Sequence, residues 1–193
     1  RLRAAAEIWQ GFGRAQGQAW EHYARTLVRR HRFSGQEYTP TAFAAFTALA
    51  TKVLQIDPEA PVPTWPPEAP FEGDGLVVSV EAILGGLEFM ADRPDAPGVT
   101  TEILVQRLRN ARAKPVPVYP SQGFVVFAPG TMRWELALRP GWYSAAVRSV
   151  LAMTGQTTRL VPIGEREVVA STSQLPGKTP RTVRRRCSSP DPC

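Results

Sequence analysis

Six prolines fall between residues 58 and 70, at Pro58, Pro61, Pro63, Pro66, Pro67 and Pro70, and neither a helix nor a central strand can run through them. Each lacks an N–H, fixes its own φ and pushes the preceding residue toward extended geometry. The stretch 57–73 therefore reads as a stiff, acidic connector, either spanning free or draped over the fold with Trp65 as its anchor. It divides the chain of 193 residues into a helical arm (1–56), a second unit (74–172) and a polar remainder (173–193). With 43% apolar and 21% charged residues, most of the chain can bury a core, as one domain or as a domain with a helical appendage.

Ahead of the connector, Ala5, Ile8, Trp9, Phe12, Trp20, Tyr23, Ala24, Leu27 and Val28 recur with helical spacing. Gly11, Gly13 and Gly17 each cost about 1 kcal/mol in a helix interior, so a break is expected at 11–17, with the better half at 18–32. Thr39 followed by Pro40 predicts the cap and first position of a second helix, whose stripe of Phe43, Phe46, Leu49, Ala50, Val53 and Leu54 stops at Asp57 and Pro58. The two helices are expected to pair as an antiparallel hairpin.

Beyond the connector the spacing predicts a compact α+β domain. It has a strand at 76–80, helices at 81–91, 100–113 and 141–153, a hairpin of 124–128 and 133–138 around Pro129 and Gly130, and a strand pair of 157–163 and 166–172 around Gly164. The remainder from 173 onward is a basic tail with only Leu175 and Val183 to bury. No apolar run approaches the roughly 18 to 20 residues that span a bilayer, since 75–90 is broken by Ser79, Glu81, Gly85, Gly86 and Glu88. The first residue is Arg1 and no apolar leader core follows it, which points to a processed chain or a piece of a longer one.

Chemistry-bearing residues are scarce. Cys187 and Cys193 stand close together near the end, where a disulfide would staple no core. With only His22 and His31 beside them, a structural zinc site is excluded, and both histidines read as solvated or capping residues. No phosphate-binding loop, nucleophile elbow or dinucleotide fingerprint is present, and Gly11, Gly13 and Gly17 miss the spacing of the last. Carboxylate pairs such as Glu165 with Glu167, or Glu72 with Asp74, read as solvated surface. Neither enzymatic activity nor a cofactor is expected, and an enzyme whose site goes unrecognised stands third among the readings.

Charge is the stronger signal. The net +6 resolves into about +5 over 1–33, zero over 34–56, about −8 over 57–95 and about +9 over 101–193. Arginine clusters neutralise phosphates and release counterions, and three are present. Arg25, Arg29 and Arg32 are spaced for one helical side. Arg107, Arg109, Arg112 and Lys114 close the helix expected at 100–113, and Lys178, Arg181, Arg184, Arg185 and Arg186 stud the tail.

The expected order of two helices (81–91 and 100–113) and a hairpin (124–138) resembles a winged helix. That resemblance implies a DNA-binding regulator or replication factor, with Arg107, Arg109, Arg112 and Arg133 on phosphate or bases. The competing expectation takes the alternation of basic, acidic and basic segments as an assembly code, by which identical subunits meet head to tail. Trp9, Trp20, Trp65, Trp134 and Trp142 suit such interfaces, although burial in the subunit's own core is the commoner fate of tryptophan. Together these features predict a non-catalytic structural subunit of a multi-chain, nucleic-acid-associated assembly such as a virion or nucleoprotein particle. Its partners would be copies of itself or other subunits, and nucleic acid through phosphate contacts.

Overall fold

The structure is a computed structural model describing residues 1–31 and 34–170. Its first 56 residues are largely helical and residues 78–168 form antiparallel sheets, so the chain as a whole is α+β.

Helix α1 (Leu2–Gln10) ends at Gly11 and α2 (Arg14–Thr26) starts after Gly13, so the glycines break the helix where their backbone freedom predicts. Helix α2 stops six residues short of the expected 32. The chain instead forms a small ribbon of β1 (Arg29–Arg30) and β2 (Glu37–Tyr38), in which the Arg30 and Glu37 side chains pair at 3.0 Å. The ribbon satisfies these backbone groups while the chain reverses near Gly35.

Helix α3 (Ala42–Ile56) is capped by Thr41 rather than Thr39. The Thr41 hydroxyl stands three residues ahead of the Ala44 N–H and accepts from it at 3.1 Å, whereas Thr39, preceding a proline, is biased to extended backbone. Both α1 and α2 pack on α3 around the buried Trp20 and Phe46, whose rings meet edge to face at 5.3 Å.

Residues 57–73 contain no helix or strand and lie against the fold. Trp20, not Trp65, holds them: its indole N–H donates to the Thr64 carbonyl at 3.0 Å, while Trp65 is 55% exposed.

Two sheets follow. The smaller joins β3 (Val78–Ile83), β4 (Gly86–Ala91) and β7 (Arg133–Ala137) in the order β3-β4-β7. The larger joins β5 (Val99–Leu108), β6 (Ser121–Val125), β8 (Gly141–Leu151) and β9 (Val161–Val168) in the order β6-β5-β8-β9. Their inner faces share one core, with Val78, Val80, Leu87 and Phe89 from one sheet and Ile103, Val105, Tyr143, Ala145 and Val147 from the other. This is a two-layer sandwich.

The helices expected at 81–91, 100–113 and 141–153 are therefore strands. Segment 81–91 spans most of a hairpin that turns at Leu84 and Gly85, while β5 and β8 pair along ten residues. Both central strands are buried on both faces over most of their length, which erases the alternation that marks a strand. The winged-helix order loses both its helices.

The turn at Pro129 and Gly130 is present, with the Thr131 N–H donating to the Ala128 carbonyl at 2.8 Å. Its flanking strands do not pair with each other: β6 joins β5 in one sheet and β7 joins β4 in the other. The strand pair expected around Gly164 is instead the single strand β9, which shifts register against β8 near Ala145 and Ala146.

One close approach fixes the helices onto the sandwich. Gly155, at φ +74°, lies so near α3 that an added Cβ would meet the Leu49 carbonyl oxygen at 2.2 Å. Among the described residues no helix is long and apolar enough to cross a membrane.

Candidate nucleic-acid interface

Cations gather in two kinds of place. The first is internal. Glu102, on β5, is fully buried and receives Lys52 of α3 at 3.0 Å and Arg148 of β8 at 2.6 Å. Lys52 also donates to Gln55 at 2.8 Å and stands 5.2 Å from the centroid of the Phe124 ring. Burial alone would raise the Glu102 pKa, but hydrogen bonds from Arg148, Ser121 and Lys52, with the Arg148 charge, hold its carboxyl below the ordinary value. Burial holds the Lys52 ammonium below its ordinary value too, against the hydrogen bond and charge of Glu102, and the Arg148 charge adds to the lowering. Every member has a partner, so the triad ties α3 to the sheet and is structural.

Asp95 is similar in kind. Burial raises its pKa against the opposing hydrogen bonds from the Phe127 N–H (2.7 Å) and the Thr101 hydroxyl (2.9 Å), which anchor the turn before β5. Asp74, one of the carboxylates noted in the sequence, accepts from the Ala96 N–H at 3.0 Å and serves the same region. Among the described residues no group of three or more His, Cys, Asp or Glu side chains is placed to hold a metal ion.

The second kind of place is external. Arg107 lies near the end of β5, with Arg109, Arg112 and Lys114 in the segment that follows, so these residues occupy a strand end and a loop rather than the expected helix. All four are exposed. The segment is held by Gln106, whose amide donates to the Val118 carbonyl and accepts from the Val116 N–H, both at 2.8 Å. Tyr119 then shares a hydrogen bond of 2.9 Å with Ser144 on the outer face of the larger sheet.

The sequence offered Trp142 only as an interface residue and passed over Gly141; the β5–β8 register brings both to this end of the sheet, pairing Leu108 with Trp142 and Arg107 with Tyr143. Arg107, Leu108, Arg109, Gly141 and Trp142 line a recess of about 470 Å³. The only sequence signal was the Pro140–Gly141 step, a turn that starts a strand there.

Arg25 and Arg29 do not share one helical side. Arg25 closes α2, where a cation suits the negative end of the helix dipole, and Arg29 belongs to β1. Arg29 lines a wider groove of about 1020 Å³, with Tyr23, Trp65, Glu68, Phe71 and Gln156. Burial raises the Tyr23 pKa there, opposed by the Arg29 charge and a hydrogen bond with Gln156.

Gln156 follows the far end of β8, so the Arg29 groove and the Arg107 recess are separated by nearly the whole strand, roughly 30 Å at about 3.3 Å per residue. The structure does not bring these two clusters together. Arg32 and the tail cluster of Lys178, Arg181, Arg184, Arg185 and Arg186 lie outside the described residues.

None of the five ion pairs among the described residues involves Arg25, Arg29, Arg107, Arg109 or Arg112. Of the nine carboxylates between 57 and 95, Glu88 alone forms an ion pair among the described residues, with Arg133 at 3.3 Å. The acidic stretch and the basic clusters therefore do not neutralise one another within the described chain. No protein-family model matches the sequence, and no curated protein is similar enough to carry a function across to it.

Proposed function

We propose that this chain is a non-catalytic structural subunit of a multi-chain, nucleic-acid-associated assembly of the virion or nucleoprotein-particle type. The single observation behind this reading is the set of exposed arginines that form no ion pair among the described residues, on a chain whose acidic stretch is almost as unpaired there. Like charges held apart from their opposites gain nothing within the subunit and are available to other molecules. A basic sandwich end can meet the acidic 57–95 region of the next copy head to tail, which generates a ring or filament. The same end, with the tail arginines, can release counterions from a phosphate backbone.

Light scattering on the full chain tests both parts. At low ionic strength a large oligomer is expected, falling apart as salt rises past about 0.15 M, where the screening length is about 8 Å. Affinity for random nucleic acid should fall steeply over the same range. A chain that stays monomeric and ignores polyanions at low salt overturns the proposal. Replacing Arg184, Arg185 and Arg186 by alanine should weaken nucleic-acid affinity and leave the thermal transition unchanged.

A further inference from the structure

The two sides of the sandwich are not alike. On one side β3 and β9 meet, and the Gly85 N–H beyond β3 donates to the Val169 carbonyl beyond β9 at 3.0 Å. On the other side β6 and β7 are the outermost strands of their sheets, and no described strand pairs with the far edge of either. Strand β6 is a poor template for further pairing, because its register with β5 shifts at Ile103 and Leu104 and Gly123 stands within it. Strand β7 holds no glycine, proline or bulge and pairs with β4 in unbroken register.

Its ladder shows which backbone groups of β7 are open. The Leu138 N–H donates to the Gly85 carbonyl at 2.8 Å and the Met132 carbonyl accepts from the Ala91 N–H at 3.0 Å, so even-numbered residues turn their backbone groups toward β4. Those of Arg133 and Glu135 therefore point to the open edge. Their side chains are exposed on the outer face, while Met132, Trp134 and Leu136 are partly buried on the inner one. Charge on the outer face is unbalanced. The register sets Glu81, Glu88 and Glu135 in one row across the three strands, where like charges directly opposite repel. Arg133 reaches Glu88 at 3.3 Å, but Glu135 forms no ion pair among the described residues.

We propose that β7 is a self-pairing edge, to which a second copy of this chain adds its own β7, antiparallel about a two-fold axis at Trp134. Charge selects this register. Centred on Arg133 or on Glu135, the pairing would set that residue against its own copy, and centred on Leu136 it would leave Glu135 against Ala137. Centred on Trp134, it sets Arg133 opposite Glu135 of the second copy, twice over, with the outward backbone groups of both residues meeting. Each Glu135 gains the arginine its own subunit does not supply. On the inner face the two Trp134 indoles stand directly opposite, as an aromatic cross-strand pair that covers their exposed parts. The two three-stranded sheets become one of six strands. Unlike the head-to-tail association proposed above, this contact closes at two copies and rests mainly on backbone hydrogen bonds and apolar cover, which salt does not screen.

Sedimentation equilibrium on the full chain at about 0.3 M salt tests this, because the head-to-tail assembly is expected to have come apart there. A reductant keeps Cys187 and Cys193 from linking copies. Wild type should show a monomer–dimer equilibrium. Glu135→Arg sets two arginines against each other across the axis and should weaken the dimer about tenfold. It also places a cation opposite Glu88 within the subunit, so the thermal transition of the dilute monomer should not fall. Adding Arg133→Glu to that variant restores opposite charges across the axis and should return most of the dimer, which separates pairing from damage to β7. A dimer that Glu135→Arg leaves unchanged, or that the double variant does not recover, overturns this inference. A chain that is monomeric at this salt yet forms large oligomers at low salt overturns it too and leaves the assembly reading standing. A dimer at this salt with no larger species at low salt supports the self-pairing edge and overturns the head-to-tail reading.

Discussion

The cations around Glu102, Lys52 and Arg148, and the arginines at the end of β5 carry the same charge, yet they differ in what answers it. Arg148 and Lys52 converge on a carboxylate whose side chain is 1% exposed, and the three groups satisfy one another. Arg107 and Arg109 form no ion pair among the described residues. A cation with an internal partner helps fix how α3 sits on the sandwich. One without such a partner leaves its charge to whatever arrives from solution.

The largest effect that would sharpen this contrast is expected inside. Glu102→Ala leaves two cations facing each other in a poorly hydrated site and should cost roughly 3–5 kcal/mol, read by denaturant or thermal unfolding. An unchanged midpoint would mean that the triad does not hold the helices to the sheet. Acid should act in the same direction. Because the folded Glu102 pKa lies below its ordinary value of 4.5, its contribution is complete above that pH and is lost as pH falls through the lowered folded value. Unfolding measured across this acidic window should show a slope in wild type that Glu102→Gln reduces.

A smaller effect on stability is expected outside. Arg107→Gln with Arg109→Gln should change the unfolding free energy by no more than about 0.5 kcal/mol while lowering the salt-dependence slope of nucleic-acid binding by about 2. Unfolding of that variant with no change in slope would break the comparison. Smallest of all, Arg133→Ala removes an ion pair whose arginine side chain is 69% exposed, and only about 0.2–0.4 kcal/mol should be lost, less at high salt.

How much of this was legible in the sequence depended on how local each feature is. The break between α1 and α2, the stop of α3 at Asp57 and the tight turn at Pro129 and Gly130 are each set by a few neighbouring residues, and each was visible. The central strands were not. In β5, Ile103 and Val105 face the sandwich core while Leu104 and Leu108 are buried toward the outer layer, so no alternation survives. In β8, adjacent Ala145 and Ala146 are good helix formers overridden by pairing on both sides. Nothing in the sequence singled out Glu102, because its partners lie 50 and 46 residues away. The recess was hidden for the same reason: Arg107 reaches Pro140 and Gly141 only through the β5–β8 ladder.

The path of the chain between the two sheets sets an order on how they can be completed. The β3–β4 hairpin forms early, but its third strand, β7, arrives only after the chain has laid down β5 and β6 in the opposite layer. Until Arg133–Ala137 emerge, the outer edge of β4 offers free backbone groups beside Leu87 and Phe89, a template for pairing with another nascent chain. The smaller sheet is thus vulnerable during synthesis in a way that the finished sandwich conceals, and a polypeptide interrupted before residue 133 would be prone to stick to its neighbours.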